Sequence, residues 1–283
     1  MKRTIVLIVY NRPLKTVQTL EALKRCHLIE HYSLLVIRQS GCEEVGKIID
    51  AIDWISCTHI ISTPPENQSV AYKINHNVRL GLHETFDKNQ SDYVVVIEDD
   101  VLLGYDFLLF SETMHQRYEH NPHFRAVNAF SKEPFETDKL FSYGTFRYGI
   151  GQGWAISRHI WNQIKLFWPT GSAQHFDALV EPWFRIGFVV MPYCSRSCNI
   201  GFGGSAHSPM NEFDDYYVTM RASWVGSDPF QFQPYVLNND LAYTWRSDCV
   251  TFREKDHKEI LKYFQWRIKR LCKIFISHFF DRQ

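Results

Sequence analysis

The stretch Tyr93-Val94-Val95-Val96-Ile97-Glu98-Asp99-Asp100 decides how the rest of the chain reads. An unbroken β-prone run without polar alternation predicts a strand buried on both faces, the kind found in parallel sheets covered by helices. The run stops at three consecutive carboxylates. In open parallel sheets ligands sit beyond the carboxyl ends of the strands, where loops vary over a rigid frame, so Glu98, Asp99 and Asp100 form a candidate site. Adjacent carboxylates repel one another and raise at least one pKa. A divalent cation relieves that conflict, and Mn2+ or Mg2+ is commonly held by one or two carboxylates together with phosphate oxygens.

Toward the N-terminus, strand and helix signals alternate. Strands are predicted over 4–10, 33–38 and 59–62, and helices after Pro13 and over 43–52 and 70–86. Pro13 suits a first helical turn, and Leu14, Val17, Leu20 and Leu23 recur behind it at a helical interval. Val70, Ile74, Val78, Leu82 and Phe86 make a second apolar stripe. Such alternation predicts an α/β fold with a Rossmann-like, mostly parallel sheet flanked by helices. Beyond Asp100 the pattern loosens: a helix over 107–118, a strand over 124–129, a polar stretch over 131–139, and a short helix over 157–167 stopped by Trp168-Pro169. This irregular half is built on loops. The organisation expected is one domain over 1–210, divided at 103 into two halves, and an extension over 211–283.

That extension ends in an amphipathic stretch over 257–280, with Ile260, Phe264, Ile268, Leu271, Phe275 and Phe279 on one side among basic residues. The stripe either docks on the core or lies in a membrane surface. The 31 basic residues equal the 31 acidic ones, so no net field suggests nucleic acid as a partner. The apolar run over 5–9 is far shorter than a signal peptide core or a membrane span. Seven scattered Cys, without a Cys-x-x-Cys pair, point to reduced thiols, and Cys194 and Cys198 lack the further ligands a metal would need. A cytoplasmic protein, membrane-associated if the C-terminal stripe faces lipid, is the expectation.

Taken together these pieces resemble the N-acetylglucosaminyltransferase I family of GT-A glycosyltransferases, over roughly 5–208. Val9-Tyr10-Asn11-Arg12-Pro13 resembles its Asn-Arg-Pro turn, whose Arg approaches the nucleotide's phosphates. Val94-Val95-Val96-Ile97-Glu98-Asp99-Asp100 is similar to its Val-Val-Val-Glu-Asp-Asp, whose last Asp binds the metal and whose preceding acids contact the donor. Tyr72-Lys73-Ile74 resembles its Tyr-Lys-Ile helix. Gly151-Gln152-Gly153-Trp154, Trp161 and Trp168-Pro169 resemble its Gly-Leu-Gly-Trp segment, later Trp and Trp-Pro. Ser195-Arg196-Ser197 resembles its Ser-Arg-Thr, and the segment from Gly201 to Ser208 its glycine-rich loop, where Gly203, Gly204 and His207 would lie by the diphosphate. A family segment Trp-Asp-Asp-Trp-Met-Arg carries the catalytic base. Aligned on the aromatic-Asp pair it selects Asp177, and aligned on Trp183 it selects Glu181.

The resemblance implies an inverting, metal-dependent glycosyltransferase with Mn2+ or Mg2+ on Asp100. It would move N-acetylglucosamine or another hexose from a UDP-sugar to an acceptor hydroxyl, glycan or lipid-linked, in glycan or polysaccharide synthesis. A bacterial or viral soluble relative fits the absence of an N-terminal anchor. Two departures bear on the nucleotide base. Gln39-Ser40 stands where the family has an Asp that reads uracil, and the family's base-contacting His falls at Asn77, with His76 one residue early. Two other readings remain: a binding protein that keeps the fold without turnover, and a sugar nucleotidyltransferase. The latter needs a basic, Gly-rich loop after the first strand, where Tyr10-Asn11-Arg12-Pro13-Leu14 has no glycine.

Overall fold

In the computed structural model the described residues are 1–131, 133–147, 150–169, 175–203 and 211–238, with Gln265 and Ile268 beyond them; the side chains at 177–179 lie outside this set. Most of the C-terminal amphipathic stretch, Gly204 and His207 also lie outside it.

The first half alternates as its sequence does: β1 (Arg3–Val9), α1 (Pro13–Lys24), β2 (Ser33–Gln39), α2 (Glu43–Asp50), β3 (Cys57–Ser62), α3 (Val70–Leu82), a π-type turn (His83–Lys88) and β4 (Tyr93–Glu98). Then come β5 (Val101–Leu103), α4 (Phe107–Tyr118), β6 (Phe124–Asn128), β7 (Ser142–Phe146), β8 (Trp154–Ser157), α5 (Arg158–Ile164), α6 (Phe176–Arg185), β9 (Phe188–Pro192), β10 (Ser197–Asn199), α7 (Asp215–Ser223) and β11 (Val236–Leu237). The large sheet runs β11-β7-β9-β6-β8-β4-β1-β2-β3. The β3-β2-β1-β4 run is parallel, while β8 enters antiparallel between β4 and β6.

Successive side chains of a strand point to opposite faces, and both faces of this sheet are covered, which explains the unbroken apolar runs of β1 over 5–9 and of β4 over 93–97. Ile5, Leu7, Val9, Val95 and Ile97 join Leu20, Leu23, Ile49 and Phe110 on one face of the sheet. Val6, Ile8, Val94 and Val96 join Val78, Leu82, Phe86 and Trp161 on the other. Both faces are therefore cores, which makes a three-layer molecule. Residues beyond 210 continue this body: β11 pairs with β7, and the Tyr235 hydroxyl donates to Asp106 at 2.8 Å. Among the described residues no helix is long and apolar enough to cross a membrane.

Helix α1 departs from the expected stripe. Leu14 is 81% exposed and Val17 is also exposed, whereas Thr16, Thr19, Leu20 and Leu23 are buried. The threonines tolerate the interior because their hydroxyls find carbonyls, Thr16 that of Arg12 at 2.9 Å and Thr19 that of Asp99 at 3.0 Å. The helix thereby turns a polar face toward the acidic strand end. The predicted 70–86 helix likewise changes at Leu82 into a π-type turn, where Thr85 donates to the Gly81 and Leu82 carbonyls. Val78, Leu82 and Phe86 are buried as the spacing requires, while Val70 is exposed.

Candidate active site

After β3 the chain crosses to the far side of β1 to form β4, so the β1/β4 boundary is the topological switch point where open α/β sheets bind ligands. Ile8 pairs with Glu98 in register, which brings the turn after β1 against the carboxylates after β4. The Tyr10 N–H donates to Asp99 Oδ2 at 3.1 Å. Arg12 reaches Asp99 Oδ1 at 3.4 Å and forms a closer ion pair with Asp100 Oδ2. Asn11 stands between them in the same turn and is exposed. Asp99 and Asp100 are only 6% and 7% exposed, an unusual burial for charged groups and one that demands partners.

The electrostatics follow from that crowding. Burial, then Asp100, pushes Glu98 up to about 7, against a weaker opposing pull from His175 and Arg12. Burial and Asp100 likewise push Asp99 up to about 6, against the Tyr10 N–H and Arg12. Arg12 is held above its usual range by the same acids, which outweigh its own burial. Elevated proton affinity on hard oxygen donors is the condition a divalent cation relieves.

The wall opposite the tip comes from β10. It pairs antiparallel with β5, whose first residue follows Asp100, and the Ile200 N–H donates to the Asp100 carbonyl at 2.8 Å. Gly201 is then forced against the carboxylate, where an added Cβ would lie 2.4 Å from Asp100 Oδ2. The glycine makes room for the carboxylate, and the tip is clamped on both sides. Residues of this kind fit a cation shared with phosphate oxygens. Among the described residues no three His, Cys, Asp or Glu side chains converge as a protein-only ligand set.

A second cluster lies at the ends of β2 and β3. The Asn77 amide donates to Gln39 Oε1 at 3.1 Å, and the Ser62 hydroxyl to Asn77 Oδ1 at 2.6 Å, all three side chains being buried. Ser40 is exposed beside them, its N–H bonded to the Ser62 carbonyl. Gln39, Ser40 and Asn77 are thus brought together. His76 stacks on Tyr72, with centroids 6.4 Å apart, and burial and Arg79 lower its pKa. Lys73 instead bonds the Glu66 carbonyl at 3.0 Å.

Helix α6 carries both base candidates. Its N-cap residue His175 acts electrostatically on Glu98, which sets the start of the helix toward the acidic tip. Asp177 follows two residues later, its side chain outside the described residues. Glu181, one turn on, is held by Arg185 through two nitrogens at 2.9 Å. The Gly-Gln-Gly-Trp segment seats this helix. Trp154 and Trp161 pack against Trp168, and Trp168 stacks on Phe176 with centroids 5.2 Å apart. Gly203 adopts φ 69°, a left-handed conformation that glycine accepts at little cost.

Several residues of the site were not singled out in the sequence. Lys15 bonds the Phe202 carbonyl, and its ammonium lies 4.8 Å from that ring's centroid. Asn199 accepts the Gly201 N–H at 2.6 Å. Thr19 and Gly201 act as described above. Lys15 alone carried a readable signal, three residues after Arg12 and so on the same side of a helix. Arg196, by contrast, is structural: fully buried, it forks onto Asp106 at 3.0 Å and donates to the Cys194 carbonyl at 2.8 Å.

Comparison with known proteins agrees with this geometry. An Arabidopsis thaliana alpha-1,3-mannosyl-glycoprotein 2-beta-N-acetylglucosaminyltransferase is 21% identical over 219 residues, 75% of this chain and 43% of that protein. The chain therefore spans less than half of that plant relative's length. The structure of S. aureus TarS residues 1–349 superposes with a TM-score of 0.52 at 9% identity, covering 70% of this chain and 59% of the other. The same TarS segment in complex with UDP gives 0.52 at 7% identity, with the same coverage. At such identity the likeness shows the fold alone, the helix-flanked, mostly parallel GT-A sheet expected from the sequence. The family's own sequence pattern matches residues 3–223, from β1 through α7 and across every element that builds the acidic tip, so the chain belongs to the GNT-I family.

Proposed function

We propose that this chain is an inverting glycosyltransferase that moves a sugar from a UDP-sugar to an acceptor hydroxyl with the help of Mn2+ or Mg2+. The observation that carries the reading is the buried carboxylate tip at the β1/β4 switch point, crossed by Arg12 and backed by Gly201. N-acetylglucosamine is the favoured sugar, because the plant relative is named for its transfer. The Gln39–Asn77–Ser62 cluster suits a nucleobase edge, since a buried amide network presents both donors and acceptors.

When bound, the cation would neutralise charge developing on the departing diphosphate. Asp100 would hold it, and Arg12 would turn from the carboxylates toward phosphate oxygens. Asp99 stays fixed by the Tyr10 N–H and keeps the tip in register. Inversion requires a base that takes the acceptor's proton. Asp177 is preferred to Glu181, because the Glu181 carboxylate is already engaged by Arg185 and the start of α6 is the end set toward Glu98. The acceptor, glycan or lipid-linked, would enter from the loop-built half. The apolar stripe over 257–280 would bring the protein to a membrane surface if the acceptor carries lipid.

The test is release of UDP from UDP-N-acetylglucosamine and other UDP-hexoses with Mn2+ and with EDTA. Metal-dependent release with at least one donor is expected. Thermal stabilisation by a UDP-sugar without any transfer or hydrolysis would instead identify a binding protein.

A further inference from the structure

The glycine-rich segment brings no cation of its own: residues 197–210 contain neither Lys nor Arg. A diphosphate approaching Glu98, Asp99 and Asp100 meets like charge, and Arg12 reaches it only by leaving its pairs with two of those acids. Lys15 is placed differently. It lies one helical turn beyond Arg12 on α1, and among the described residues no carboxylate lies within ion-pair distance of it. Its hydrogen bond goes to a neutral acceptor, the Phe202 carbonyl, and its charge rests near the Phe202 ring. Phe202 is in turn braced by Tyr217 of α7, with ring centroids 5.5 Å apart.

We infer that Lys15 is a second phosphate-binding cation, which exchanges the Phe202 carbonyl for a β-phosphate oxygen of the donor and so makes the 201–203 turn responsive to diphosphate. The inference rests on the proposed nucleotide-sugar site. Two features support the exchange. An ammonium bonds more strongly to an anionic oxygen than to a neutral carbonyl, so the swap is downhill once phosphate is present. Burial and the neighbouring Arg12 also hold Lys15 below its usual pKa against the opposing pull of Asp100 and Asp99, and an incoming anion offsets both penalties. The turn that Lys15 releases begins at Gly201, which touches Asp100, so phosphate capture and the setting of the metal-binding carboxylate share one piece of backbone.

Calorimetric titration of UDP and UMP, with Mn2+ present, into wild type and Lys15→Met tests this. Met keeps an apolar stem over the Phe202 ring and removes the charge. UDP binding should weaken by about tenfold or more, as expected for loss of one charge-assisted hydrogen bond. UMP, which has no β-phosphate, should lose no more than about threefold, with Lys15→Arg intermediate for UDP. Wild type that binds UDP while Lys15→Met binds it equally well overturns the inference and leaves the proposed function standing. Equal loss of UDP and UMP also overturns it, as the mark of general damage to the site. Wild type that binds no UDP overturns the proposed function together with the inference.

Discussion

Replacing Gly201 by Ala asks whether turnover depends on where the Asp100 carboxylate sits. The added Cβ would lie 2.4 Å from Asp100 Oδ2 and 2.8 Å from Asn199 Oδ1. Ordinary contact begins near 3.4 Å, so the carboxylate or the turn must give by about 1 Å, 3.4 less 2.4. Neither yields freely. Asp100 is tied to Arg12 by its side chain and to the Ile200 N–H by its carbonyl, and Asn199 holds the Gly201 N–H. A misplacement of about 1 Å costs about 100-fold in rate, and relief of such overpacking costs about 1–3 kcal/mol of stability. Gly201→Ala should therefore lower kcat about 100-fold, raise the Mn2+ concentration needed for half-activity, and lower Tm modestly. Gly203→Ala perturbs the same turn without reaching Asp100: among the described residues its Cβ meets no atom within 4 Å, and it bears its φ of 69°, a strain of about 1–2 kcal/mol. Steady-state UDP release and thermal unfolding read both variants. Gly201→Ala within about threefold of wild-type kcat at unchanged Mn2+ dependence would refute the placement of the metal on Asp100.

Asp100→Asn should abolish metal-dependent turnover and raise the Tm of the metal-free protein at neutral pH, because Asp100 is the chief charge opposing Glu98 and Asp99; unchanged activity would dismiss the assignment. In wild type, the folded state holds protons on Glu98 to about 7 and on Asp99 to about 6, whereas the unfolded chain releases them near pH 4. These two groups therefore subtract stability as pH rises from about 4 to about 7, and Mn2+ should raise Tm more at about pH 7.5 than at about pH 5; calorimetry with and without Mn2+ checks the sign. Between Asp177→Asn and Glu181→Gln, the first should lose turnover while still binding UDP, and the second should mainly lose its half-exposed pair with Arg185; the reverse result would move the base to Glu181. Arg196→Ala, by stranding a buried Asp106, should cost about 3–5 kcal/mol and depress Tm whatever the ligand.

What the sequence made legible was the part set by local pattern. A run buried on both faces has to be apolar throughout, so β4 and its acidic end stood out, and alternating strands and helices gave the parallel half of the sheet. The α1 stripe failed because two threonines satisfied their hydroxyls on the Arg12 and Asp99 carbonyls, a tertiary event that hydrophobic spacing does not register. β5 and β10 were too short to show a period. Gly201 could not be distinguished from its neighbouring glycines, because only its contact with Asp100 sets it apart. The spacing of Lys15 from Arg12 put both on one side of a helix, but its contact with a residue far along the chain, Phe202, was not legible there.

The same short elements explain how a mostly buried acidic tip persists. Three carboxylates at one strand end push the chain apart, and β4 alone has only its terminal backbone to resist. Here the resistance is distributed. The turn after β1 supplies Tyr10 N–H and Arg12, α1 supplies Thr19 to the Asp99 carbonyl, and the β5–β10 ladder grips the backbone beyond Asp100. That ladder is itself anchored by Arg196, next to β10, on Asp106, just past β5. Local repulsion is thus opposed by contacts from three separate stretches of sequence. On the proposed function, a cation arriving at a site so loaded would relieve that repulsion, and the relief would favour its binding.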